Sequence, residues 1–393
     1  MFNKSGEYRQ KGVSAVRPGL WIKRGVVILA AGVLVAAGIS AAKSLAGKSR
    51  SVPERLLATR IAADAVLVPG SPGVLAFSRD TDGIRVSRVP LTEGGSAAGA
   101  GSDSTMVCAD GVICLGEDAV SVTDRATGSI KNYPLDSTGV APSWTIKVPG
   151  AAMAVADKKG VLVITAPGAG KTGFRVKRLD TRGRVTWERE SSSGIPLSLR
   201  GAPGGFFVAG VLQVKEYPAT SLLIVNDSGW AETKPIPGLV RCVAGGSGLL
   251  AAGSGSSLYT HDLNGQIKWC VEPGGIPTDV AVCPGGVVVA VRKSGGNGFA
   301  DLFVRDFVAM YDVGGARLWK ADLKPGVTAV RCYDKGVIAG TSAGVVALDY
   351  RGKVLWEVDL PSPVSRLEIA PGGGMFYVST EAGELRSYRV ISD

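Results

Sequence analysis

The chain has 393 residues, 45% of them hydrophobic and 20% charged, which is enough apolar material for a packed core and too much for a disordered chain. Its formal net charge of +10 is gathered at one end: residues 1–50 hold nine Lys and Arg and a single acid, Glu7, and taking these from totals of 44 and 34 leaves 35 basic and 33 acidic residues for the rest. A nearly neutral body with interspersed charges excludes a basic stripe for a phosphate backbone, so nucleic acid is not an expected partner.

In chain order, residues 1–24 form a basic tail. The next 18 positions, GVVILAAGVLVAAGISAA (25–42), carry no charge and are apolar on every side. Trp21 and the Lys23–Arg24 pair precede them and Lys43 follows. Extended through Ala46 by a snorkelling Lys43, the segment 25–46 is long enough to cross a hydrocarbon core of about 30 Å. It is expected to be a transmembrane signal-anchor helix. A cleaved signal peptide, ending near Ser44-Leu45-Ala46, is the rival, against which stand the 24-residue tail and the long apolar run. Six basic residues before the span argue for the N-terminus inside and the large domain outside the cytoplasm, in a cell membrane crossed once. Residues 47–60 read as a linker, and 52–61 as a strand that could close a ring.

The chain carries 55 glycines in all, spread along its length as short strands with tight turns require. One motif recurs: an apolar strand ending in Asp, two residues, Gly, three residues, Trp. It occurs as Asp180, Gly183, Trp187; as Asp262, Gly265, Trp269; as Asp312, Gly315, Trp319; and as Asp349, Gly352, Trp356. A looser copy is Asp136, Gly139, Trp144, one residue late; another is Asn226 and Gly229, with Thr233 where Trp would stand and Trp230 out of register. The six glycines are 44, 46, 36, 50 and 37 residues apart, the period of a four-stranded propeller blade. The Asp carboxylate can accept turn amides, Gly supplies a positive φ, and the Trp can fill the gap to the next blade. Gly-led apolar runs at 160–164, 248–252, 286–290 and 336–339 read as inner strands buried on both faces.

The expected fold is therefore all-β: a closed β-propeller over 61–393, of eight blades, with seven as the alternative, preceded by one transmembrane helix. The units fall near 62–97, 104–150, 151–192, 194–236, 237–273, 275–323, 325–361 and 363–393, the last lacking an outer strand that 52–61 would supply. Residues 294–305 read as a blade insertion, and 92–105 as a surface loop.

These units resemble the PQQ-type propeller repeat, clearly over 136–360 and weakly in the flanks. The resemblance implies either a quinoprotein dehydrogenase, with pyrroloquinoline quinone and calcium at the propeller centre, or a non-catalytic relative such as the propeller lipoprotein of the outer-membrane β-barrel assembly machine. The chain has no adjacent Cys-Cys pair of the kind found in many of the enzymes, and no cysteine before Cys108 to carry a lipoprotein anchor.

The remaining motifs read as structure. Thr165-Ala-Pro-Gly-Ala-Gly170-Lys171-Thr172 imitates a phosphate loop, but an alternating strand follows it where a helix N-terminus is needed, so a hairpin is expected. His261, the single histidine, sits beside a repeat Asp and reads as a surface turn residue. Asp80-Thr-Asp82-Gly83 lacks the twelfth-position acid of a calcium loop, where Leu91 stands, and reads as a β-turn. Cys108, Cys242, Cys283 and Cys332 precede apolar runs in four units and read as small residues between blades. Cys108 and Cys114 flank an Ala-Asp-Gly turn and are the expected disulfide. No catalytic residue, metal site or cofactor is expected. The function expected is a membrane-anchored scaffold that binds partner proteins in an envelope complex; the alternatives are a sensor of a small molecule or glycan and, behind it, a quinone-dependent dehydrogenase.

Overall fold

A computed structural model describes residues 54–60, 66–69, 73–80, 82–90, 104–116, 119–134, 141–166, 173–202, 206–213, 218–226, 229–293, 306–323, 326–370 and 373–390. The expected membrane segment 25–46, the tail before it and the insertion 294–305 lie outside these residues. Among the described residues no helix is long and apolar enough to cross a membrane.

The body is an eight-bladed β-propeller. Eight antiparallel sheets follow one another along the chain: blade 1 over 66–108, blade 2 over 111–147, blade 3 over 151–191, blade 4 over 195–237, blade 5 over 240–271, blade 6 over 276–322, blade 7 over 329–359 and blade 8 over 364–389. Within each blade the chain runs from the innermost strand to the outermost by hairpins. Blade 4 adds a short fifth strand, Ile236–Pro237, beside Ala219–Asn226. Blade 8 takes its fourth strand from the other end of the chain: Glu54–Arg60 pairs with Glu384–Arg389, from Glu54↔Arg389 to Arg60↔Glu384. The first strand of blade 1, Val66–Pro69, then lies against Val364–Ile369 of blade 8. Closure leaves no long edge open to pair with another chain.

Two readings change. Ser104–Cys108 belongs to blade 1 as its outer strand, with Ile84 opposite Cys108, and does not open blade 2. Gly83 is what admits it: at φ +133° it lies so close to the Cys108 carbonyl that a Cβ would overlap it. The Gly-led apolar runs are second strands rather than innermost ones. In Gly160–Thr165, Leu249–Ser254 and Gly336–Thr341 every residue is buried. A second strand has neighbours on both edges and blades on both faces. The innermost strand has one free edge on the central axis, and in Ile195–Ala202 only Leu199 and Ala202 are buried.

The core lies between blades. Val288, Ala290, Val308 and Met310 of blade 6 meet Val330, Val337, Ala339, Val346 and Leu348 of blade 7, all of them buried. Each such side chain contributes about 1.5–3 kcal/mol through removal from water, so a blade is stable only against its neighbours.

Candidate functional site at the channel mouth

The repeat residues build a latch from each blade to the next. In all four full copies the Asp carboxylate Oδ1 accepts two turn amides: those of Arg182 and Arg184 on Asp180, Asn264 and Gln266 on Asp262, Gly314 and Ala316 on Asp312, and Arg351 and Lys353 on Asp349, at 2.8–2.9 Å. Gly183, Gly265, Gly315 and Gly352 have φ between +77° and +90°. The Trp sits on the outer strand and reaches the following blade. Trp269 Nε1 donates to Val313 O at 3.0 Å and Trp319 Nε1 to Tyr350 O at 2.9 Å, both inside the next blade's turn. Their indoles lie over Gly315 and Gly352, where a Cβ would come to 2.8 Å. The glycine is thus required twice, for its φ and for the surface it offers. Trp356, 5% exposed, instead stacks on Phe376 of blade 8 at 5.5 Å.

The looser copies latch differently. Asp136 and Gly139 lie outside the described residues. Trp144 is opposite Asn132, and it is Ile146 that stands 3.8 Å from the Cβ position of Gly183. Trp187 packs into the core of blades 3 and 4, its indole nitrogen buried without a hydrogen-bond partner. Over Gly265 lies the backbone of Glu232 and Thr233. Trp230 turns back onto Phe174 of blade 3, 6.2 Å between ring centroids.

A feature invisible in the motif gathers at the start of the innermost strands. Those of blades 3, 4, 5, 6 and 8 each carry a one-residue bulge at the same point, skipping Ala152, Leu197, Arg241, Thr278 and Ser365. Blade 7 has Thr328 at the equivalent place. Thr278 Oγ1 donates to Ala290 O and to Val327 O of blade 7; Thr328 Oγ1 donates to Gly340 O and to Val364 O of blade 8. A bulge re-aims the extra side chain and ends regular pairing. Here it sets a partial ring of side chains at one end of the central channel. On blade 4 the bulged residue is apolar, Leu197 at 48% exposed, and Ile195 and Leu239, at or just before the starts of the innermost strands of blades 4 and 5, are each 52% exposed. Between blades 5, 6 and 7 the ring borders an open cavity of about 440 Å³ lined by Arg241, Pro277, Thr278, Arg292 and Thr328. Asp306 is not part of this lining; its buried carboxylate accepts the amides of Lys293, Gly326 and Val327.

Below the ring, one charge cluster spans three blades. Arg331 of blade 7 donates from Nη1 to Asp279 of blade 6 at 2.7 Å and from Nε and Nη2 to the two oxygens of Glu368 of blade 8 at 3.2 and 2.9 Å. Asp279 also accepts the Val280 and Val330 amides. Burial works against the Arg331 charge, but Asp279 and then Glu368 outweigh it and hold its pKa above the ordinary value. All three groups are consumed by one another and brace adjacent innermost strands.

The cysteines and the histidine depart from expectation. Cys108 and Cys114 do not bond to each other: Cys108 packs with Leu75, Phe77 and Tyr133, Cys114 with Met153, Val155 and Phe207, so they enter different inter-blade cores. The disulfide joins Cys283 to Cys332, across innermost strands of blades 6 and 7, with Cα atoms 5.6 Å apart. Burial pushes the Cys114 and Cys242 thiols up to about 12, which makes them poor nucleophiles. His261 is fully buried rather than on the surface, because it ends a third strand covered on both faces; neither ring nitrogen has a partner, and burial lowers its pKa. The imitation phosphate loop joins antiparallel strands, Thr165 opposite Arg175, with no helix behind it; Asp80 faces Gly83 across a tight turn. Among the described residues no three His, Cys, Asp or Glu side chains gather as a metal site.

Comparison with known proteins agrees with this architecture. The family model PQQ_2, described as outer membrane protein assembly factor BamB, matches residues 305–391, which span the end of blade 6, blade 7 and blade 8. BamB from Moraxella catarrhalis superposes with a TM-score of 0.56 at 16% identity, over 87% of this chain and 99% of that one. Sqt1 from Saccharomyces cerevisiae gives 0.56 at 12% identity, over 86% and 100%, and the Dos1 propeller gives 0.59 at 8%, over 88% and 97%. At these identities the likeness is one of fold. No curated protein matches the chain. The family likeness thus rests on the last two and a half blades, and the propeller fold on the whole body.

Proposed function

We propose that this protein is a non-catalytic, membrane-tethered propeller that binds partner proteins in an envelope complex. The observation that carries the reading is the channel mouth, where equivalent bulges present Leu197 and, beside it, Ile195 and Leu239 to solvent. Large apolar side chains clustered on a rigid ring, next to arginine, are the composition of a protein-binding surface. In the cluster below, Arg331 is fully engaged by Asp279 and Glu368, and the buried thiols are held protonated, so these groups serve the ring rather than a reaction. The likeness of blades 6 to 8 to a family described as an assembly factor supports a scaffold role. The Cys283–Cys332 disulfide supports a propeller outside the cytoplasm, where such bonds persist, and the charge-free run 25–42 supports the tether.

Cross-linking in intact cells followed by purification in mild detergent tests this. Specific partners, lost when Leu197 and Leu239 are both changed to Ser, are expected. A protein that runs alone and monomeric in every extract counts against the scaffold. Protease treatment of intact spheroplasts tests placement: the propeller should be degraded from outside.

A further inference from the structure

We infer that the cavity between blades 5, 6 and 7 is a binding site for a compact oxyanion, a carboxylate or a phosphate group. It lies beyond the scaffold reading and does not depend on it. Its lining holds two guanidinium groups, Arg241 and Arg292, and no acid. Both arginines are solvent-exposed and neither forms an ion pair among the described residues. Arg241 is the bulged residue of its strand, so its direction is set by an extra residue that a regular strand would not supply. Arg292 ends the second strand of blade 6, two positions before which the chain is fully buried. The two thus come from different blades onto one cavity, held at fixed origins by rigid sheets.

The other groups cannot take the place of a ligand. Asp279, one residue along from Thr278, is already held by Arg331 and by the Val280 and Val330 amides. The Thr278 and Thr328 hydroxyl hydrogens are directed at carbonyls of their own and the following blade. The walls therefore offer an incoming group positive charge and planar N–H forks and, among the described residues, no competing counter-ion. Guanidinium forks match carboxylate and phosphate oxygens two at a time, which favours oxyanions over chloride. A volume of about 440 Å³ suits a small ligand or the acidic end of a larger one.

The test titrates the full chain in detergent with inorganic phosphate and, separately, with succinate, reading thermal stability and calorimetric binding at constant ionic strength. Saturable binding of either anion, weakened at least tenfold in R241Q and in R292Q, is expected, and R241K should recover it only in part. The two titrations show whether phosphate or carboxylate is preferred. The absence of saturable binding by both anions overturns the site. So does binding that R241Q and R292Q leave unchanged. Partner cross-linking, run in parallel on the same variants, reports on the scaffold separately, so failure of one reading is not failure of the other.

Discussion

Blades 5 to 7 and blades 2 to 4 are built to one plan and held together by different means. From blade 5 to 6 and from blade 6 to 7 an indole of the outer strand lies on the glycine of the next turn and hydrogen-bonds to a carbonyl within it, Trp269 to Val313 and Trp319 to Tyr350. In the earlier ones Ile146, the Arg189 guanidinium or plain backbone covers the equivalent glycine, and Trp187 carries an unsatisfied nitrogen into the core. The motif that reads along the sequence as a property of one unit is in space a contract between two. Where one party departs, as in the Asp136 copy, the neighbouring turn survives because its Asp and φ requirements are local, while the covering group is free to change.

Four experiments break or sharpen this contrast. The largest effect belongs to the covalent tie of the later half. Changing Cys283 and Cys332 to Ala releases a loop whose ends are 49 residues apart, which removes about 4 kcal/mol by loop-closure entropy as an upper figure. Urea unfolding should show it, while the same double change at Cys108 and Cys114, which share no bond, leaves the bond intact and acts only through packing. Next come the glycines. Gly352→Ala meets both a left-handed φ and the Trp319 ring and should cost about 3 kcal/mol; Gly183→Ala meets the φ alone, with Ile146 at ordinary contact distance, and should cost about 1 kcal/mol. Equal losses at the two sites would mean that the indole does not use the glycine as its seat.

The third effect depends on pH. His261 is buried without a partner, and burial lowers its pKa from the ordinary 6.5. A histidine whose folded pKa is depressed binds its proton more readily in the unfolded chain. Its neutral form therefore leaves stability intact above about pH 6.5, and stability declines as pH falls below that value. The slope cannot exceed about 1.4 kcal/mol per pH unit, or about 2 kcal/mol by pH 5. His261→Leu should flatten the pH dependence of the urea midpoint between pH 7.5 and 5, and an unchanged slope would assign the acid sensitivity elsewhere.

What was legible in the sequence follows from what is local. The Asp-x-x-Gly turn and its hydrogen bonds close within five residues, so residue types alone declare it. The ring closure was legible because the last unit lacked a strand and Glu54–Arg60 could supply one. The bulges at Leu197, Arg241 and Thr278 were not, because a bulge is a mismatch between two paired strands and leaves no mark on one of them. For the same reason Cys108 and Cys114, close in sequence, suggested a bridge, whereas the pair that bonds is close only through the stacking of blades. Cys283 and Cys332 do stand at matching places before apolar runs, and blade repetition turns matching places into neighbours. His261 was misplaced because the end of a strand was taken for the surface, although the third strand of a propeller blade is covered on both faces.

The smallest effect isolates the indole hydrogen bond. Trp319→Phe keeps an aromatic ring over Gly352 and removes the donor to Tyr350, leaving that carbonyl to water at a half-buried site, and should cost about 1 kcal/mol. Trp187→Phe removes a nitrogen that has no partner and is buried, so it should be neutral or slightly stabilising. Each replacement loses similar apolar area, so the difference between them reports the bond and not the packing. If both cost the same, the indole is held by its ring alone, and the carbonyl in the following turn is an incidental neighbour.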